Sequence, residues 1–149
     1  MSVNSSIHDI GILLTLVKSQ VKSIHAFGQC VVSDTIDLAN ARIEFDNGCV
    51  ANLTSSRISN KQMRQMRIFE NKTYSVLDFQ THSLNKWVIE KNKNIQESSF
   101  SSQSTNPLYE ELKSFIECIK LGTKPIVCEQ EGLRALEIAI KIQNIIEQN

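Results

Sequence analysis

Among 149 residues, His8 is the one whose type and setting most suggest chemistry. It lies between Ser6 and Asp9 at the head of an apolar segment, and Ser6-Ile7-His8-Asp9 reads as the [ST]-x-x-[DE] capping box of a helix start. In the first turn of a helix the positive end of the dipole disfavours imidazolium, so the ring stays neutral and ready to accept a proton as a general base. An exposed histidine at a helix start with no duty is the plainer reading of the same residues. Arg57, Lys61, Arg64 and Arg67 follow one another closely and form a cationic group suited to a phosphate or carboxylate. A solvated strand edge or interface rim is again the plainer account. His25 and His82 have no acid or thiol at useful spacing and read as surface residues. Tyr74 and Trp87 fall at strand positions where burial is expected.

Several chemistries are unsupported. There is no G-x-G-x-x-G, Walker A, H-E-x-x-H or G-x-S-x-G, and only five glycines occur, so no cofactor-binding residues are expected. Cys30, Cys49, Cys118 and Cys128 form no C-x-x-C pair and have no histidine at zinc-finger spacing. They read as reduced core thiols, with no metal site. Lys plus Arg and Asp plus Glu both number 16, which leaves no overall basic field for nucleic acid or an anionic membrane. The longest apolar run, Ile10 to Val17, is far short of the roughly 20 residues of a membrane span. No basic segment precedes it as in a signal peptide, so a cytoplasmic location is expected.

The elements that must position these residues follow from periodicity. Ile7, Ile10, Leu13, Leu14 and Val17 predict a helix over 6–18, with Lys18 in its last turn. From Val21 to Glu90, short β-branched and aromatic runs alternate with turn residues and predict about six antiparallel strands, near 22–32, 38–45, 49–57, 64–69, 74–79 and 84–91. Asp46-Asn47-Gly48 predicts a type I′ hairpin turn. Lys91 to Asn106, rich in Asn, Ser, Gln and Lys, reads as a mobile loop. Asn106-Pro107 starts a second helix that Gly122 ends, with Leu108, Leu112, Phe115, Ile116 and Ile119 as its buried stripe. A third runs over 129–146 with Leu133, Leu136, Ile140 and Ile145 near one face. Together these predict one α+β domain: an open, mainly antiparallel sheet of about six strands with helices covering one face. Val50 and Ile58 on one alternation and Ala51 and Leu53 on the other imply that the second face also wants cover.

Three separated runs carry a resemblance: Asn4-Ser-Ser-Ile-His8-Asp9-Ile10-Gly11, then Asp37-Leu-Ala-Asn-Ala-Arg-Ile-Glu-Phe-Asp-Asn-Gly48-Cys-Val-Ala-Asn-Leu-Thr-Ser-Ser-Arg57, and Glu131-Gly-Leu-Arg-Ala-Leu-Glu-Ile-Ala139. In this order they resemble the C-terminal domain of the Gfo/Idh/MocA oxidoreductases, the glucose-fructose oxidoreductase and inositol dehydrogenase family. Within it the chain looks most like the branch that oxidises sugar nucleotides such as UDP-N-acetylglucosamine at the 3-hydroxyl. The resemblance implies that 1–149 is the substrate and oligomerisation domain, and that the N-terminal Rossmann domain, which holds NAD(P) in full-length relatives, lies outside it. It also implies that His8 matches a histidine near the sugar hydroxyl. Asn4 stands where the family has Asp, and Gly11 stands where an acid is usual. An amide can hydrogen-bond but cannot supply the charge that stabilises a protonated partner, so His8 is expected to be vestigial. The expectation is a truncated or split sugar or sugar-nucleotide dehydrogenase that binds no cofactor by itself and is inactive alone, with Arg57 as a substrate contact. The competing readings are a non-catalytic interaction module on the same sheet and a small sugar- or nucleotide-binding domain. Implied partners are a second copy, as dimer or tetramer through an apolar sheet face, and a separate Rossmann half.

Overall fold

The computed structural model describes residues 4–58, 63–102, 106–125 and 127–148, with side chains described from Ile7 in the first helix. The elements run α1 (Asn4–Leu16), β1 (Val21–Gln29), β2 (Leu38–Phe45), β3 (Val50–Ser56), β4 (Gln65–Glu70), β5 (Thr73–Asp78), β6 (Ser83–Ile89), β7 (Ile95–Ser101), α2 (Pro107–Leu121) and α3 (Glu129–Glu147). The α+β class and the open antiparallel pairing are as the sequence predicts. The single sheet of about six strands is not: the seven described strands form two ladders, β1-β2-β3 and β4-β5-β6-β7, because hydrogen bonding between consecutive strands stops between β3 and β4. The chain divides into two compact units, 1–59 with 124–149, and 60–123.

In the first unit β2 alternates, and Ala39, Ala41, Ile43 and Phe45 are buried on one face. Register carries that face sideways, Ile43 lying between Ile24 and Ala51, and Ala41 between Ala26 and Leu53. Onto it α1 brings Ile10 and Leu13, and α3 brings Ala135, Ile138, Ala139 and Ile142, all in one core. The α3 positions recur at helical spacing, but they are not the expected ones: Leu133, Leu136 and Ile140 are exposed. Ala135 and Ala139 let the helix approach closely while Ile138 and Ile142 fill the space between, so the bulkier leucines turn outward. At the end of α3, Ile146 packs against Gly28 of β1, where a Cβ would collide with Ile146 and lie 3.0 Å from Ile36 Cγ2. Nearer its start, Arg134 Nη2 donates to Ser19 O at 2.6 Å and pins the α1–β1 connection.

Local signals hold with revisions. α1 begins at Asn4, so Ser6 is not its cap, His8 sits in the second turn rather than the first, and Lys18 lies beyond its last residue. The β2–β3 turn is a three-residue loop: Phe45 O accepts from Gly48 N, Cys49 O from Phe45 N, both at 2.9 Å, and only Gly48 has positive φ, at 82°. That is the three-residue, bulged form rather than type I′, which needs two positive φ values. The thiols are all free, but none is buried: Cys30 is exposed and the others are half-buried.

The second unit is a four-stranded meander. Ile95–Ser101 is a strand where a mobile loop was expected. Its mostly polar side chains hid it, because an outer strand can take its order from the backbone hydrogen bonds of β6 alone. Tyr74 and Trp87 are half-buried rather than core, stacked in a cross-strand row with Phe69. α2 has the predicted ends, with Asn106 Oδ1 accepting from Tyr109 N and Gly122 at φ 64°, but none of its residues is buried. Leu108, Leu112, Phe115, Ile116 and Ile119 are 48–66% exposed, so among the described residues the stripe is left largely uncovered. Among the described residues no helix is long and apolar enough to cross a membrane.

Candidate functional site

His8 is exposed on α1. Asn4 is the first residue of that helix, one turn earlier and so on the same side, and its side chain lies outside the described residues. A Cβ at Gly11 would have no heavy atom within 4 Å, so the third position of this face is open space.

The strongest polar centre is one that the sequence reading missed, Asp37, 5% exposed at the entry to β2. Its Oδ2 accepts the backbone N–H groups of Val31, Val32 and Ser33 at 3.0, 2.8 and 2.9 Å. Its Oδ1 accepts from Ser33 Oγ at 2.9 Å and lies 3.6 Å from Arg57 Nη2. These donors, the Val32 amide foremost and then those of Ser33 and Val31, hold the carboxyl far below the usual carboxylate range against the opposing effect of burial. Arg57 Nη2 also donates to Thr35 Oγ1 at 2.7 Å and Ile36 O at 3.1 Å. Arg57 is thus anchored on the 30–36 loop, with Nε and Nη1 hydrogen-bonded to nothing among the described residues and the side chain 53% exposed. Those two groups can meet an anion. The run of Ser33, Asp34 and Thr35 before Asp37 was the available signal, since short oxygen side chains there favour a locally bonded loop over a strand.

The expected cationic group is divided: Arg57 belongs to the first unit, while Arg64 and Arg67 belong to the second and Lys61 lies outside the described residues. Arg64 sits over the Phe79 ring at 5.1 Å. His25 and His82 are exposed, as expected.

The face of the first sheet turned away from the helices carries a polar network. Ser23 Oγ donates to Glu44 Oε2 at 3.1 Å, Arg42 Nε lies 3.5 Å from Glu44 Oε1, Arg42 Nη1 is 3.4 Å from Asn52 Oδ1, and Thr54 Oγ1 donates to Asn40 Oδ1 at 2.8 Å. The Ser23 hydroxyl first, then Arg42, lower the Glu44 carboxyl. Val50 is exposed there among polar neighbours, and Ile58 lies beyond the end of β3. The two do not form an apolar second face.

Among the described residues no group of three His, Cys, Asp or Glu is placed to hold a metal. The starts of α2 and α3 do not fit a dinucleotide either. At α3 the Glu131 carboxylate takes the Cys128 N–H at 3.0 Å, and acids stand in the first turns of both α2 and α3. A pyrophosphate would meet negative charge where it needs free N–H donors.

Residues 1–73, spanning α1 to β4 and including His8, Asp37 and Arg57, match the family model described as the GFO/IDH/MocA C-terminal domain. This segment is similar to the Gfo/Idh/MocA family. The whole chain is similar to UDP-N-acetylglucosamine 3-dehydrogenase of Acidithiobacillus ferrooxidans, 27% identical over 147 residues that make up 95% of this chain and 47% of that protein. The solved structure of that enzyme superposes with a TM-score of 0.87, covering 95% of this chain and 46% of the other at 27% identity. A putative NADPH-dependent oxidoreductase from Desulfitobacterium hafniense shares the fold at a TM-score of 0.81 and 16% identity, covering 96% and 44%. The Gfo/Idh/MocA-like chain therefore spans about half the length of the relatives it matches.

Proposed function

We propose that these residues are the substrate-side half of a sugar-nucleotide oxidoreductase of the UDP-N-acetylglucosamine 3-dehydrogenase kind, inactive until a Rossmann partner supplies NAD(P). The observation that carries this reading is the similarity of 95% of the chain, at 27% identity and a TM-score of 0.87, to about half of that enzyme. The nicotinamide of such a partner would supply hydride chemistry, which depends on holding that ring against the substrate carbon. The starts of α2 and α3 are unsuited to a dinucleotide, and the chain's own contribution is read as lying on the sugar side. His8, vestigial in the chain alone, would accept a proton from the sugar hydroxyl only in that assembly, where Asn4 in place of an acid leaves the resulting imidazolium poorly stabilised and the reaction correspondingly slow. Arg57, braced by Thr35, Ile36 and Asp37, offers Nε and Nη1 to the diphosphate. The assembly is proposed to work in the cytoplasm.

Mixing the chain with the separately expressed N-terminal half of the Acidithiobacillus enzyme, NAD+ and UDP-N-acetylglucosamine tests this. Nicotinamide reduction that falls in His8→Ala is the expected result. A mixture that associates but stays inactive at every enzyme concentration would overturn it. A second reading, a non-catalytic module that assembles with copies of itself as dimer or tetramer, is favoured by the uncovered apolar stripe of α2. A clean monomer of 16.8 kDa by sedimentation at micromolar concentration would remove it.

A further inference from the structure

The second unit exposes β4 as the outer strand of its sheet. Phe79 N–H donates to Arg64 O at 2.9 Å, in the same register that pairs Gln65 with Asp78 and Met66 with Leu77. Hydrogen-bonded pairs alternate along an antiparallel ladder, so Met66, Ile68 and Glu70 aim their backbone groups at β5, while Gln65, Arg67 and Phe69 aim theirs outward. No strand among the described residues takes those outward groups.

The side chains of this edge are complementary to one another. Arg67 and Phe69, two residues apart, share one face. Phe69 opens the row of stacked rings, 4.8 Å from Tyr74, which in turn is 5.3 Å from Trp87, and at 76% exposure its outer side is uncovered. Arg67 is exposed and makes no hydrogen bond or ion pair among the described residues. A two-fold antiparallel pairing centred on Ile68 brings outward backbone groups together and sets Arg67 of each copy opposite Phe69 of the other. Centring on Arg67 would oppose like charges, and centring on Phe69 would leave the guanidinium facing Asn71.

We propose that β4 is a self-association edge: two copies pair antiparallel about Ile68, and the Arg67 guanidinium of each lies over the Phe69 ring of the other, adding a cation to the end of each ring stack. A ladder of five residues from each copy, 66–70, is small beside the roughly 1,200 Å² at the low end of standard interfaces, so the pairing is concentration-dependent. It needs neither a cofactor domain nor contact through a sheet face, and its test separates it from both.

In the wild-type chain, amide exchange followed by NMR at low and high protein concentration is expected to slow at Arg67 and Phe69 as concentration rises, while Met66 and Ile68 stay equally protected throughout. Contact through a sheet face would leave the two outward amides unchanged, and that result would overturn the proposal. In the centred register the Ile68 pair is non-hydrogen-bonded, with Cα atoms about 4.5 Å apart, within disulfide range. Mild oxidation of mixed light and heavy isotope-labelled Ile68→Cys chains should therefore give a 68–68 bridge between copies, which peptide mapping distinguishes from bridges through Cys30. Adding Arg67→Glu should cut its yield several-fold. No such bridge in a folded variant, or equal bridging from Met66→Cys, would reject the register.

Discussion

Asp37 gathers three consecutive backbone amides, one hydroxyl and one guanidinium around a carboxylate that is 5% exposed. Only the ionised form accepts from all of them, so folding favours ionisation and the folded carboxyl titrates below its unfolded value of roughly 3.9. The resulting stability is present in full above about pH 4 and fades as pH falls from there toward the folded value. Asp37→Asn should therefore melt at a lower temperature than wild type at neutral pH, with the gap narrowing below about pH 4. Thermal denaturation of both proteins across pH checks this, and a gap of constant size would show that the charge is not what holds the loop. The same substitution releases the brace behind Arg57, so the effect bears on the candidate anion contact as well as on stability.

The helices differ in what they cover. α3 is held by alanines that permit close approach and by a glycine on the facing strand, whereas α2 has well-formed ends and no burial. A Cβ at Gly28 would strike Ile146 and crowd Ile36, so the end of α3 would have to lift from β1. Gly28→Ala is expected to destabilise the first unit by about 1–3 kcal/mol, the usual cost of overpacking. Urea denaturation measures it, and a change under about 0.5 kcal/mol, typical of a surface site, would mean that the contact yields freely. Periodicity announced both helices, but it could not say which flank of α3 would be buried. Leu133, Leu136 and Ile140 are as apolar as the residues that were, and the deciding quantity is the space the sheet leaves for Ala135 and Ala139.

The first unit is assembled from both ends of the chain, 1–59 with 124–149, so its core closes only when α3 arrives. Ending the chain after Thr123 would uncover Ile10, Ile43 and Phe45, which are 0–2% exposed in the intact unit. The expected outcome is loss of cooperative unfolding in that unit, read from the Ile43 methyl signal. A truncated chain that keeps a native-like Ile43 signal would show that α1 and the sheet suffice. At this scale the α+β class, the antiparallel hairpins and the limits of α2 were legible in the sequence, because turn residues, caps and periodicity act over a few neighbours. The resemblance around His8 and Asp37 to Arg57 was legible too, being a matter of residue type in order. What only the tertiary structure decided depends on residues far apart in the chain: the division of the strands into two ladders, β7 drawn out of a polar stretch by β6, and the five groups that close around Asp37. Arg57 comes to Asp37 across 19 intervening residues through the pairing of β2 with β3, and no local pattern encodes which side chains that pairing will bring together.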